Sequence, residues 1–397
     1  MNTSSSFFCI YVFLSFFQFL FASILSLNSL HKAVGFTCLF LSVYFVRQVK
    51  LNRGFFVWLA SFLFINTVSF YNLAFETWFS GYNRTILYLL FKMPEIILVS
   101  VFVSSQSLNS LNLVFCKIRS IFVLTSAVLF LYFILVYFNI LPYIHRFIVF
   151  NGDRFGGFVG EPRDYGLLSF VFLLSTFFLP FKKNVFERIA LSFFVIASAS
   201  NAVVILFIGV VWYYFFLRKP MHTSIIIVAF VTFSYGFLLN LDLAIGRFDL
   251  DMVELSSIAT SFDPANPPPA LNPITVRFFN FIFNLHWMSS EWLSYGVGSA
   301  MDIAHNNNIF DYNVYESSTG LFGFTMIGVE LGIFGLIFAV TSVIYYLLMV
   351  KYDKDKSLLS FSIIMVMFFL SSPYSSIYFF FLLYIYKWVK ISRINQA

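Results

Sequence analysis

The stretch from Asn151 to Gly166, NGDRFGGFVGEPRDYG, sets two arginines, closely spaced glycines and a Glu-Pro step side by side. Arg154 and Arg163 carry planar forks of N–H donors that suit bidentate phosphate or carboxylate, where a lysine would act as a point charge. Gly157 and Gly160, with Gly152 and Gly156, let a backbone approach an anion closely. Glu161 lies between the two arginines, with Pro162 fixing its exit, and is a carboxylate that could take a proton from a hydroxyl; its other role is a salt bridge to one of those arginines. Further along, Arg277 precedes a Gly296-Val297-Gly298 turn and His305, a second candidate base. Fixed cations, permissive backbone and a carboxylate or imidazole suit a reaction in which negative charge develops on leaving oxygens while a hydroxyl attacks.

These residues must be positioned by membrane helices. The chain is 60% hydrophobic and 11% charged, far from the composition of a soluble domain. Its long Phe, Leu and Ile runs lack the period-2 alternation of a barrel, so helices are the expected spanning element. Spans are expected near 7–27, 33–46, 54–71, 85–104, 120–141, 164–181, 189–199, 202–217, 223–240, 320–350, 357–371 and 376–389. The run from Ile189 to Leu217 is split because Lys182, Lys183 and Arg188 precede it and Arg218 and Lys219 follow it, which puts both ends on one side. The C-terminal run is split at Ser371-Ser372-Pro373 for the same reason. The fold class is therefore an all-α polytopic membrane protein of about twelve transmembrane helices, with N and C termini cytoplasmic, forming a single integral membrane domain over 1–397. The first apolar run reads as an uncleaved first span, since it lacks a basic flank and a small-residue cleavage site.

The basic residues assigned to the inner face, among them Arg47, Lys50, Lys117, Arg119, Lys182, Lys351 and Lys387, explain the net charge of +6 as positive-inside bias, with no nucleic-acid partner required. Lys32 apart, the outer cations are arginines: Arg84, Arg146, Arg154, Arg163, Arg247 and Arg277. Two outer regions are large enough for chemistry, a short loop over 142–163 and a long one over 241–319. The long loop passes an acidic run and a Pro-rich turn. It then reads TVRFFNFIFNLHWM, expected as an amphipathic helix on the membrane surface with His286 and Trp287 at the interface.

Other signals exclude more than they assign. Cys9 and Cys38 fall in spans and Cys116 in an inner loop, so no external disulfide framework is expected. Asp249-Leu250-Asp251 matches the three-residue pattern of metal-binding transferases, but a single match in an acidic loop carries little weight, and neither a metal nor any other cofactor is expected. Inside the membrane, Lys92 and Glu95 can pair along one helix face, and Glu330 stands near the outer half of the tenth span.

R-F-x-G-x-x-x-E-P from Arg154 to Pro162, an arginine a short helix before a G-x-G turn, and E-L-G-x-x-G from Glu330 to Gly335 together resemble the bacterial O-antigen polymerases of the Wzy type and, more loosely, the O-antigen ligases. The resemblance covers topology over most of the chain and sequence only over these patches. It implies a GT-C-like glycosyltransferase in the bacterial inner membrane, with its active site facing the periplasm. Such an enzyme joins undecaprenyl-diphosphate-linked repeat units into an O-antigen or related surface polysaccharide without a metal. Its expected partners are that lipid-linked oligosaccharide, the membrane lipid and a chain-length regulator protein. Arg154, Arg163, Arg277, Gly157 and Gly160 would bind substrate, and Glu161 and His305 would serve catalysis. The alternatives are an O-antigen ligase, which the context of His305 does not closely match, and a lipid-linked oligosaccharide flippase or other transporter, for which the sequence shows no internal repeat.

Overall fold

The computed structural model describes residues 2–16, 28–46, 49, 53–77, 81–141, 150–151, 154–157, 162–179, 185–198, 284–285, 287–288, 292–306, 323–367 and 375–394. The described chain is predominantly helical. In order it forms α1 (Thr3–Phe16), α2 (Asn28–Tyr44), α3 (Arg53–Thr77), α4 (Asn83–Leu87), a π-helical turn (Tyr88–Lys92), α5 (Met93–Ser105) and α6 (Leu108–Tyr137). A two-stranded antiparallel hairpin follows, β1 (Phe150–Asn151) and β2 (Arg154–Phe155), with Phe150 opposite Phe155 and Asn151 opposite Arg154. The remainder is α7 (Pro162–Phe178), α8 (Val185–Ala197), α9 (Ser299–Asn306), α10 (Gly323–Val350), α11 (Lys354–Met365) and α12 (Ser376–Ile394).

Among the described residues, four stretches are long and apolar enough to cross a membrane: Phe56–Phe75, Thr85–Ser105, Leu108–Val136 and Thr325–Val350. Shorter apolar helices cover Thr3–Ser15, Lys32–Tyr44 and Asp164–Phe178. Their outward positions carry large apolar side chains, such as Phe64 on α3 at 70% exposure and Leu124 on α6 at 68%. Such surface is costly in water and suited to hydrocarbon. The expected spans 202–217 and 223–240 lie outside the described residues.

The interior is built largely from aromatic rings. Phe8 of α1 stacks on Phe102 of α5 with ring centroids 4.0 Å apart, Phe115 of α6 stacks on Tyr384 of α12 at 5.3 Å, and Trp58 of α3 lies between Phe338 of α10 and Phe379 of α12 at 5.9 and 5.5 Å. Each contact ties together helices distant in sequence.

One expected boundary is wrong. The fifth span was placed from residue 120 with Cys116, Lys117 and Arg119 in an inner loop, but α6 begins at Leu108, straight after a tight turn at Gln106 and Ser107. Ser107 is the N-cap, its hydroxyl accepting from the Ser110 N–H at 3.2 Å. Arg119 then sits well inside the helix, where it is buried and paired with Glu187 of α8 at 2.8 Å, with the Ser120 hydroxyl donating to the same carboxylate at 3.2 Å. Positive charge read as a loop marker is here a buried pair joining two helices, which sequence alone does not distinguish.

The termini of several helices meet at one end of the bundle. Lys387 of α12 donates to the carbonyls of Val103 and Ser104 at 2.8 and 2.9 Å and to that of Gln106, closing the C-terminus of α5. Gln106 in turn donates to the Ser4 hydroxyl at 2.8 Å, and Ser4 donates to the Ser42 carbonyl at 2.5 Å. The first turn of α1, the end of α2, the α5–α6 turn and the last part of α12 are therefore locked together.

Candidate active site

At the opposite end of the α4–α5 run, the Gly296-Val297-Gly298 turn is wedged among three helices. The Gly296 N–H donates to the Glu330 carbonyl of α10 at 2.8 Å, and the Val297 N–H donates to the Asn66 side-chain oxygen of α3 at 3.0 Å. Gly298 has φ of +91°, and a Cβ there would come within 2.6 Å of the Tyr88 ring in the π-helical turn. Only glycine fits that backbone and that contact.

Helix α10 is broken where the turn meets it. Gly332, the glycine of E-L-G, has φ of 71° and ψ of −171° inside the helix. The carbonyl of Trp292 occupies the space a Cβ would need, 2.3 Å from it. Glu330, two residues before the break, is fully buried. A discontinuous helix with an acidic residue at its break is a recurrent way to present backbone and charge to a ligand at membrane depth. The π-helical turn ahead of Pro94 is a second irregularity facing the same turn, and such turns are frequent at functional sites.

Of the expected surface helix only residues 284–285 and 287–288 are described, and their side chains pack onto the bundle. Asn284 is buried, its amide donating to the Thr325 hydroxyl of α10 at 3.0 Å, and Trp287 packs on a small cluster of Leu73, Tyr82, Ala300, Ile303 and Val329. The hydroxyls of Ser294 and Ser299, on either side of the turn, are buried without a hydrogen-bond partner among the described residues. Helix α9, which carries His305, starts directly from the turn; Asp302 anchors it by accepting from the Thr85 N–H and hydroxyl of α4 at 2.9 and 2.8 Å. Asp302 thus caps α4 from another part of the chain.

A second cluster forms around the β-hairpin. Phe155 is buried between Phe130 and Phe133 of α6 and Tyr165 of α7, with ring centroids at 5.3, 5.7 and 5.1 Å. This fixes the backbone of Arg154 close to the start of α7, whose first turn contains Arg163. Gly157 is buried with φ of +55° and packs against the Tyr165 ring.

The structure therefore brings two of the three sequence patches together, G-V-G with E-L-G, and separately seats Arg154 and Gly157 over the start of α7. No described contact joins those two groups. Glu161, Gly160 and Arg277 lie outside the described residues, and for Arg154, Arg163 and His305 only the backbone is described. The metal-pattern residues Asp249 and Asp251 also lie outside them. Asn66, Asp302, Tyr88 and Asn284 were missed; polar residues in the apolar runs at Asn66 and Asn284 were the available signal.

Deeper in the bundle, the expected Lys92–Glu95 pair is present at 2.7 Å. Glu95 also accepts from the Ser376 hydroxyl of α12 at 2.9 Å and from the Tyr11 hydroxyl of α1, so the pair is part of a network tying three helices together. Comparison of the chain with protein-family profiles, with curated proteins and with solved structures finds no match.

Proposed function

We propose that this chain is a polysaccharide polymerase of about twelve transmembrane helices in the bacterial inner membrane. It joins undecaprenyl-diphosphate-linked repeat units on the periplasmic face, and both termini are cytoplasmic. The observation that carries the reading is the docking of the Gly296–Gly298 turn on the broken α10 helix at Glu330–Gly332, which unites two patches of the sequence resemblance in one place. The orientation draws support from the other end of the bundle. There Lys387 meets Gln106, and the Lys356 ammonium lies 5.4 Å from the Trp388 ring, so two basic residues assigned to the cytoplasmic face lie at that end.

The reaction breaks the bond between the anomeric carbon and the diphosphate oxygen of the donor and forms a new bond from that carbon to a hydroxyl of the acceptor unit. The hydroxyl proton passes to Glu161 or His305, and undecaprenyl diphosphate leaves. Charge growing on the diphosphate is met by Arg154, Arg163 and Arg277, whose forks bind two oxygens each. Gly157 and Gly160 keep the neighbouring backbone compact.

The test is the glycan ladder of cells that lack the gene and are then complemented. A polymerase gives collapse of a long ladder to a core-plus-one-repeat band on deletion and its return with the wild-type gene. Complete loss of repeats from the lipid would transfer the assignment to a ligase or flippase.

A further inference from the structure

Helix α9, which carries His305, is 8 residues long. An isolated helix shorter than roughly 12–15 residues is marginal, so the orientation of α9 comes from what it docks on. One side, Ala300 and Ile303, is buried in the cluster with Leu73, Tyr82 and Val329. A second stripe, of residues four apart, runs antiparallel along the segment from Gly81 to Tyr88. Gly298 abuts the Tyr88 ring, Asp302 accepts from the Thr85 N–H and hydroxyl, and the Asn306 amide donates to the Gly81 carbonyl at 3.3 Å.

Asp302 is the charged member of that stripe, and it does a task that α4 cannot do for itself. Tyr82 holds the N-cap position, its carbonyl accepting from the Ile86 N–H at 3.3 Å, while its ring is buried edge-on against Tyr295 at 5.3 Å. A tyrosine does not fold back onto the first turn of its own helix as Ser, Thr, Asp or Asn does. The Thr85 N–H, three residues on, is capped instead by Asp302, whose carboxylate is buried at the positive end of the helical run. The same two hydrogen bonds therefore complete α4 and fix the rotation of α9. At about 100° per residue, Ala300, Asp302, Ile303 and Asn306 take up about 160° of the circumference, and position 305 falls outside that arc, about 60° round from Asp302. A rotation of about 10° moves a side-chain tip about 5–6 Å from the helix axis by about 1 Å. Misplacement by about 1 Å at a reacting group costs on the order of a hundredfold in rate.

We infer that Asp302 is a positioning residue for His305, setting the rotation of α9 through its cap on Thr85. That a reaction depends on His305 rests on the function proposed above; that Asp302 sets α9 does not.

The test uses the full-length protein in liposomes with a purified lipid-linked repeat unit. Initial rates of glycosidic bond formation and hydrogen exchange of the 299–306 amides are measured on the same preparations. Asp302→Ala lowers kcat by about tenfold or more and leaves KM for the lipid-linked unit within about twofold. It also speeds exchange over 299–306 by about tenfold or more, while the amides of α11 keep their wild-type rates. Asp302→Asn, which keeps an oxygen able to accept from Thr85, recovers about a third or more of the wild-type kcat. In a His305→Ala background, Asp302→Ala lowers the residual rate by less than about twofold, because its effect passes through His305. A merely structural role lowers both backgrounds by the same factor, and that result, or unchanged exchange over 299–306, overturns the inference. If His305→Ala has no measurable rate, the kinetic split decides: a loss carried by KM refutes the positioning role. Should Asp302→Ala not fold, Asn306→Ala, at the exposed end of the same stripe, gives the same pattern with a fall in kcat of about threefold, and an equal fall in both backgrounds refutes the inference. A wild-type protein that forms no glycosidic bond removes the polymerase, and exchange then decides alone whether Asp302 sets α9; glycan synthesis undiminished in Asp302→Ala removes the positioning role alone.

Discussion

Replacing Gly332 by alanine probes the junction on which the proposed site depends. The residue has φ of 71° and ψ of −171°, a region essentially restricted to glycine, so any side chain costs about 1–3 kcal/mol in backbone strain. The added Cβ would lie 2.3 Å from the Trp292 carbonyl oxygen, a backbone atom that cannot turn aside. Relief requires α10 and the 292–298 segment to part. That loses the Gly296-to-Glu330 and Val297-to-Asn66 hydrogen bonds, each worth about 1 kcal/mol. The expected destabilisation is about 3–5 kcal/mol, large against a total stability of order 10 kcal/mol. It is read as a shift of the SDS unfolding midpoint of the purified protein in dodecylmaltoside micelles, followed by tryptophan fluorescence. Gly54→Ala is the control, because its Cβ would meet nothing closer than the Tyr345 hydroxyl at 3.9 Å, and it should change stability by no more than about 1 kcal/mol. If Gly332→Ala unfolds at the same midpoint as Gly54→Ala, the turn is not locked to the helix break and the reasoning fails.

Three further outcomes test other parts of the structure. Arg119→Met alone should destabilise by about 3–5 kcal/mol, because it strands the buried Glu187 carboxylate, and adding Glu187→Leu should recover most of that loss; the same unfolding assay measures both, and additive losses would contradict a coupled pair. Arg154→Ala should abolish chain extension while leaving the protein in the membrane, and Arg154→Lys should rescue poorly because the bidentate fork is lost; wild-type ladders from Arg154→Ala would eliminate the diphosphate clamp. Asp249→Ala should support a normal ladder, and product formation that requires added divalent metal would overturn the reading of the acidic loop.

Helix type and approximate position were legible because hydrophobic run length is a strong signal: the expected spans 54–71, 85–104 and 376–389 fall within α3, the α4–α5 run and α12. The start of α6 was misplaced because Lys117 and Arg119 were read by the positive-inside rule, which does not register that Glu187 neutralises Arg119. The G-V-G and E-L-G patches were visible as separate glycine motifs, but their contact joins residues more than thirty positions apart and depends on backbone atoms, which leave no pattern in side-chain type. Docking of Asn284 and Trp287 inside the bundle was missed for a related reason. A run of Phe, Ile, Asn and Trp satisfies a membrane interface and a helix crevice equally well.

Reconstitution of the purified protein in liposomes with one purified lipid-linked repeat unit is the most direct test of the central claim. The account predicts glycans of increasing repeat number on the lipid, release of one polyprenyl diphosphate for each bond formed, and neither product with Arg277→Ala. Transfer of the intact lipid-linked unit between leaflets without a new glycosidic bond would contradict it.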